Sequence, residues 1–283
     1  MVKPFLKWAG GKTQLIGELL RYLPPTQGTY FEPFVGGGSL FWKVSECGRC
    51  RRAVINDVNP ELTNLYQVVR DRTGELIDAL TAYQLEPDWN TEAFYKAVRS
   101  TEPEGCVERA ARMVYLNRTG FNGLHRVNKA GKFNVPFGRY NNPQLYNADN
   151  LWACRRALAD VEIRTGDFNA ALSDAIMGDV VYIDPPYVPL SKTSNFTAYA
   201  GTFGTDQQQR LAQLAARLVR RGVFVVASNS DTPAVHDLYR DFQIVPVEAR
   251  RTINSDPTKR GKVRELLLIG RPPSWPTDSA TFL

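Results

Sequence analysis

The run Asp179-Val180-Val181-Tyr182-Ile183-Asp184-Pro185-Pro186-Tyr187 sets the architecture of this chain. Its first half is continuously apolar and rich in β-branched residues, which reads as a strand buried on both faces. Asp184-Pro185-Pro186-Tyr187 therefore stands at a carboxyl end, where ligands bind in open α/β sheets. Upstream come strand Val161–Thr165 and a helix from Phe168, after a helix near 150–159. Downstream come a helix near 206–221, strand Val223–Ala227, and strands Phe242–Val247 and Val263–Ile269. At the other end, a helix carrying Leu15, Ile16, Leu19 and Leu20 stops at Pro24-Pro25. Strands Thr29–Pro33 and Ala53–Asp57 follow. Apolar strands alternating with amphipathic helices predict a Rossmann-like, doubly wound α/β sheet.

Residues 60 to 118 break that rhythm. They are mostly helical, with Leu62, Leu65, Val68 and Val69 on one face, and the stretch from Arg118 to Asn150 is rich in Asn, Gly and Pro. The organisation predicted is a sheet domain made of residues 1–59 and 146–270, a mostly helical insert at 60–145, and a tail at 271–283.

Composition narrows the class. With 43% hydrophobic and 23% charged residues among 283, the chain can build an ordinary globular core. No apolar run is long enough for a membrane span, and Met1-Val2-Lys3-Pro4 lacks the apolar core of a signal peptide, so a cytoplasmic protein is expected. Cys47 and Cys50 form one C-x-x-C pair without a second, which argues against zinc, so no metal is expected. Only His125 and His236 are present, so a histidine base is disfavoured. The net charge is +6, and it is unevenly spread. Between Arg109 and Ala148 there is no acid, but there are Arg109, Arg112, Arg118, Arg126, Lys129, Lys132 and Arg139. A second basic run holds Arg250, Arg251, Lys259, Arg260, Lys262 and Arg264. One-signed stretches of this kind favour phosphate contact.

The chemistry of Asp184-Pro185-Pro186-Tyr187 suits a flat base with an exocyclic amine. A carboxylate and a proline carbonyl can both accept from an NH2 group, the prolines stiffen the turn, and the tyrosine offers a stacking face. Two acceptors would localise the amine lone pair, otherwise delocalised into the ring, for attack on a methyl donor. Near the amino end, Glu32-Pro33-Phe34-Val35-Gly36-Gly37-Gly38 is a strand, a glycine loop and a helix start, and Asp57 ends the next strand. Such a loop admits close backbone approach and such a carboxylate bonds ribose hydroxyls. Phe41 replaces the third glycine of the dinucleotide fingerprint, so a different nucleoside cofactor is favoured. Gly10-Gly11-Lys12-Thr13 is no phosphate loop, because Leu6 stands where that motif needs glycine.

These motifs, with Phe5-Leu6-Lys7-Trp8-Ala9-Gly10-Gly11-Lys12, Asn117-Arg118-Thr119-Gly120-Phe121-Asn122-Gly123-Leu124, Phe133–Tyr140 and Asn195–Tyr199, follow one another in an order that resembles the Dam-type DNA adenine-N6 methyltransferases. The resemblance implies S-adenosyl-L-methionine as cofactor, bound by Trp8, Lys12, Phe34, Gly36, Gly38, Asp57, Asp167, Phe168 and Asp184. It implies catalysis by Asp184, Pro185, Pro186 and Tyr187, and an insert that recognises DNA. It also implies double-stranded DNA as partner, read by a monomer at GATC with the target base flipped out. Lys7, Arg118, Phe121, Asn122, Leu124, Arg126, Pro136, Arg139, Tyr140 and Asn195 match DNA-contacting positions. Phe121 would wedge between base pairs, Asn122 bond a base edge, Leu124 touch a thymine methyl, Lys7 reach guanine, and Arg126 read a base or clamp a phosphate. Three other readings use the same acceptor geometry or fold: cytosine-N4 methylation, usually Ser-Pro-Pro-Tyr; RNA or protein-glutamine methylation, usually Asn-Pro-Pro-Tyr; and a non-catalytic DNA-binding relative.

Overall fold

Among the described residues seven strands, β1 (Thr29–Glu32), β2 (Arg52–Asp57), β3 (Val161–Thr165), β4 (Val180–Ile183), β5 (Phe224–Ser230), β6 (Gln243–Arg250) and β7 (Lys262–Gly270), form one sheet in the order β3-β2-β1-β4-β5-β7-β6. The computed structural model describes residues 2–189, 203–250 and 262–275. The fold is the expected α/β class. Strand β1 runs parallel to β2 and to β4, with Phe31 opposite Val54 on one side and Val181 on the other. Strand β5 is parallel to β4, with Ile183 opposite Ala227, whereas β7 lies antiparallel to both β5 and β6. The strand order reverses at β1, so the carboxyl ends of β1 and β4 are neighbours, the place where open sheets bind ligands.

Ten helices accompany the strands in the described residues: α1 (Ile16–Tyr22), α2 (Ser39–Glu46), α3 (Pro60–Asp71), α4 (Thr73–Leu85), α5 (Glu92–Ser100), α6 (Cys106–Thr119), α7 (Ala148–Leu158), α8 (Phe168–Ala171), α9 (Thr205–Arg220) and α10 (Pro233–Leu238). None is long and apolar enough to cross a membrane. The chain divides into two compact units: Met1–Gly11, Val35–Glu46 and Asn56–Gly166 in the first, and Lys12–Phe34, Cys47–Ile55 and Asp167–Leu283 in the second. The segment 60–145 lies wholly within the first unit.

In the first unit, α3 starts where Asn59 accepts a hydrogen bond from the Glu61 amide at 3.0 Å and Pro60 occupies the first turn. Helix α6 packs on α3, α4 and α5 and buries residues around most of its circumference, including Val107, Ala111, Val114 and Leu116. The Tyr115 ring sits among Tyr83, Phe94 and Tyr95. The irregular stretch after α6 is pinned to these helices. Tyr95 donates its hydroxyl to the Val135 carbonyl at 2.9 Å, and short bridges join Gly120 to Phe137 and Val127 to Phe133.

In the second unit, the apolar face of α9 (Leu211, Leu214, Ala215, Leu218) shares a core with Val181 and Ile183 of β4, Val225 and Ala227 of β5, and Leu268 of β7. That core fixes β4, and with it the turn at 184–187.

Candidate active site

The apolar residues of β4 anchor one end of the turn, and a polar set from β5, β7 and α9 anchors the rest. Ser228 donates its hydroxyl to Asp184 Oδ1 at 2.8 Å, and Lys12 Nζ lies 3.0 Å from the same oxygen. Among the described residues Asp184 Oδ2 has no hydrogen-bond partner. The carboxylate is thus clamped through one oxygen while the other keeps its accepting capacity. Tyr187 donates its hydroxyl to Glu265 Oε2 at 3.0 Å, which fixes the ring plane. Burial, with the charges of Asp184 and Glu265 nearby, holds that phenol well above its usual range, so it remains a neutral donor. Lys12 Nζ also lies 4.7 Å from the centroid of the Tyr187 ring, a cation–π contact. The resemblance put Lys12 among the cofactor-binding positions; in the structure its ammonium is engaged by the motif itself.

Phe34 and Phe168, matched to cofactor-binding positions, are also in the second unit. The rings of Phe34 and Phe168 are 5.5 Å apart, and Phe203 meets both. Asp167 caps α8 by accepting from the Asn169 amide and pairs with Arg210, whose guanidinium lies 4.8 Å from the centre of the Phe168 ring. Its carboxylate is therefore committed to holding α8 and Arg210 beside Phe168.

The glycine loop and Asp57 belong to the first unit. Asp57, at the end of β2, accepts from the amides of Gly36 at 3.1 Å and Asn59 at 2.9 Å. It is almost fully buried, and burial pushes its carboxyl up to about 6 in spite of those bonds. Gly36 has φ of +49°, and a Cβ there would come within 2.9 Å of the Trp8 ring. Only glycine lets the loop bend in this way with the indole against it. Trp8 is half-buried and not core; its other neighbour is His125, with ring centres 5.4 Å apart. Gly38, with φ of +69°, faces Tyr66 and Trp42 just before α2. Among the described residues no group of three or more His, Cys, Asp or Glu is placed to hold a metal ion. Cys47 and Cys50 are free thiols, and burial, with Glu32 nearby, pushes Cys50 up to about 11.

Several candidate DNA-contacting residues converge in the first unit on a single 3-10 turn, Phe121–Gly123. Phe121 is 49% exposed, large and apolar, at the tip of that turn. Asn122 takes a left-handed conformation, φ of 55°, and its amide donates to the Tyr140 hydroxyl at 2.8 Å. Lys7 Nζ lies 4.9 Å from the centroid of the Tyr140 ring. Leu124 is half-exposed and Pro136 exposed, and the Pro136 carbonyl accepts from the Phe121 amide at 2.9 Å. Arg126 is held by the side chain and carbonyl of Asn134, and exposed Arg139 pairs with Glu92 at 3.2 Å. Arg118 departs from this group: it is half-buried and donates to the Phe5 carbonyl at 2.7 Å, tethering the N-terminal segment. Asn195 lies outside the described residues.

Two things escaped sequence reading. The first is Asn117, 4% exposed, which donates to the carbonyls of Lys7 and Gly123 and accepts from the Lys7 amide. It staples Lys7 to the 3-10 turn. The second is the fate of the basic stretch between 109 and 148, whose lack of local acids does not leave it unpaired. Arg109 pairs with Glu61, Arg112 donates to the carbonyls of Val98 and Arg99, Lys132 pairs with Glu102, and Arg139 with Glu92. The acids lie earlier in the chain, Glu61 on α3, Glu92 on α5 and Glu102 just after α5.

The chain is similar to known proteins over most of its length. Residues 8–253 match the family model described as D12 class N6 adenine-specific DNA methyltransferase. The type II methyltransferase M1.LlaDCHI of Lactococcus lactis subsp. cremoris is 41% identical over 276 residues, covering 94% of this chain and 95% of that one. The type II methyltransferase M.MjaIII of Methanocaldococcus jannaschii is 39% identical, covering 95% and 99% of the two chains. The DNA adenine methylase of Escherichia coli strain K12 is 38% identical over 282 residues, covering 95% and 96%.

Proposed function

The chain belongs to the D12 class N6 adenine-specific DNA methyltransferases, and from that premise we propose that it methylates adenine within GATC after rotating the base out of the duplex. The coarser activity follows from membership: it is a DNA adenine-N6 methyltransferase dependent on S-adenosyl-L-methionine, and DNA is its substrate. When bound, that cofactor supplies an electrophilic methyl group. The residues suit it chemically. Asp57 is an acceptor for ribose hydroxyls beside a glycine loop, and Phe34 with Phe168 offers aromatic surface to a purine. Lys12 is a cation that a carboxylate can recruit.

The observation that carries the reading is the clamped Asp184 carboxylate, held through Oδ1 by Ser228 and Lys12. In this reading Oδ2 and the Pro185 carbonyl accept the two N6 protons, draw the nitrogen toward tetrahedral geometry and raise the availability of its lone pair. Tyr187 stacks on the extruded base, with its ring plane set by Glu265. A paired adenine cannot reach these acceptors, which is why the base must leave the stack. Phe121 is the proposed wedge that fills the gap, and Asn122, Leu124, Lys7 and Arg126 the base readers. Pro136, Arg139, Tyr140 and Asn195 are proposed to support them along the duplex, with Arg118 acting only by holding the N-terminal segment. Residues 1–59 and 146–270 would serve methyl transfer, and 60–145 recognition, in a monomer working on cytoplasmic DNA. Methylome sequencing, after expression in a host lacking adenine methylation, tests the site. N6-methyladenine confined to GATC is expected; marks at another sequence would overturn that assignment, and N4-methylcytosine would overturn the chemistry.

A further inference from the structure

A glutamine sits at the head of the apolar face of α9. Gln208 is 3% exposed, one turn before Leu211 and Ala212, where an aliphatic residue would extend the core. A buried primary amide is costly unless both its ends are bonded. Here both ends are satisfied by the motif turn and its neighbour. Gln208 Nε2 donates to the Pro186 carbonyl at 2.7 Å, and Oε1 accepts from Asn229 Nδ2 at 3.1 Å. Asn229 Oδ1 in turn accepts from the Val188 amide at 3.0 Å and the Ser230 amide at 2.9 Å. Ser230 donates its hydroxyl to the Val188 carbonyl at 2.6 Å. Carbonyls can only accept and backbone amides can only donate, so the partners fix both amide orientations without ambiguity.

We propose that Gln208 is a positioning residue for methyl transfer, holding the Pro186 carbonyl away from the target so that Pro185 and Asp184 alone face the amine. The inference rests on the reading of residues 184–187 as the methyl-transfer turn. Among the described residues neither the Pro185 carbonyl nor Asp184 Oδ2 has a partner, whereas Pro186 is occupied by Gln208 and Val188 by Asn229 and Ser230. The turn is thus pinned immediately after its two proposed acceptors. Asp184 is separately fixed by Ser228, which precedes Asn229 on β5, so one strand supports both halves of the turn.

Single-turnover methylation of unmethylated genomic DNA separates this role from simple packing. Gln208→Met keeps the volume but supplies neither the donor nor the acceptor. Its rate constant is expected to fall about ten- to a hundredfold, the scale of a small misplacement of reacting groups, while cofactor KM and duplex Kd stay unchanged. Gln208→Glu gives a second readout. When protonated, its carboxyl can donate to Pro186 and accept from Asn229, restoring both bonds; when ionised, it turns an acceptor toward the Pro186 carbonyl. The ratio of its rate to that of the wild type should therefore climb as pH falls. A Gln208→Met variant as fast as the wild type, or a Gln208→Glu ratio flat with pH, would overturn the proposal, and the second holds even if Gln208→Met misfolds. A wild-type chain inert toward adenine would instead overturn the underlying reading of the turn.

Discussion

At the scale of single residues, Asp184 and Asp57 are two carboxylates in opposite surroundings. Asp184 is oriented by Lys12 and Ser228. Asp184→Ala should abolish methyl transfer while the protein stays folded, since β4 is anchored by its apolar residues; a few per cent of wild-type single-turnover rate would refute the role. Burial instead pushes the Asp57 carboxyl up to about 6, above the ordinary 3.8. The folded state therefore grips this proton more tightly than the unfolded chain does. Asp57 contributes most to stability below the ordinary value, and that contribution declines as pH rises through about 6. Ribose hydroxyls are bonded better by the ionised form, so cofactor affinity should rise across the same window. Calorimetric titration of the cofactor should show this rise in the wild type and a flat profile in Asp57→Asn. Both carboxylates were legible because each ends a strand in a local motif. Their supports were not: Ser228 is 44 residues from Asp184, and Glu265 is 78 from Tyr187. No local pattern marks a partner that reaches the motif only once the sheet has formed.

At the scale of elements, the strands and long helices were readable because burial writes its period into the sequence. Val180–Ile183 and Phe224–Ala227 are apolar on both faces, and α9 keeps one apolar stripe. Short elements carry too few residues for a period, which is why α10 and the 3-10 turn at Phe121–Gly123 went unnoticed. That turn is defined by contacts and not by propensity. Gly123 has φ of +63°, and a Cβ there would lie 2.5 Å from the Lys7 Cβ. Asn117 ties the same two segments together. Replacing Asn117 by Ala leaves the Lys7 amide and carbonyl and the Gly123 carbonyl without it, at a cost of roughly 1–3 kcal/mol. Chemical denaturation should record that loss. Methylation of singly substituted GATC duplexes should show relaxed choice as well, because Lys7 and Phe121 would no longer share one mount. A variant equally destabilised but unchanged in sequence choice would confine Asn117 to folding.

At the scale of the whole molecule, the charge pattern misleads in a way that yields a test. A net charge of +6 and an acid-free stretch suggest that every cation from 109 to 148 faces phosphate. The structure sorts them instead. Arg109 is bonded to Glu61 through two nitrogens, and Arg112 serves two backbone carbonyls, both among the helices of the first unit. Lys132 pairs with Glu102, but both side chains are 67% exposed, and a surface pair of this kind holds its lysine weakly. Lys129 stands exposed in the same hairpin. Counterion release depends on cations that reach phosphate, whatever their number in the sequence. If Lys129 and Lys132 each neutralise one phosphate, changing both to Ala should flatten the slope of log K against log salt by about 1.8. Arg109→Ala and Arg112→Ala should leave that slope unchanged and lower the melting temperature instead, since carbonyls and a carboxylate lose their donors. Duplex binding measured from low to moderate salt, beside thermal melts of the same variants, separates the two classes. A slope that responds to Arg109 and not to Lys129 and Lys132 would put the DNA on a different face of the first unit, and the recognition role proposed for the Phe121 turn would fall with it.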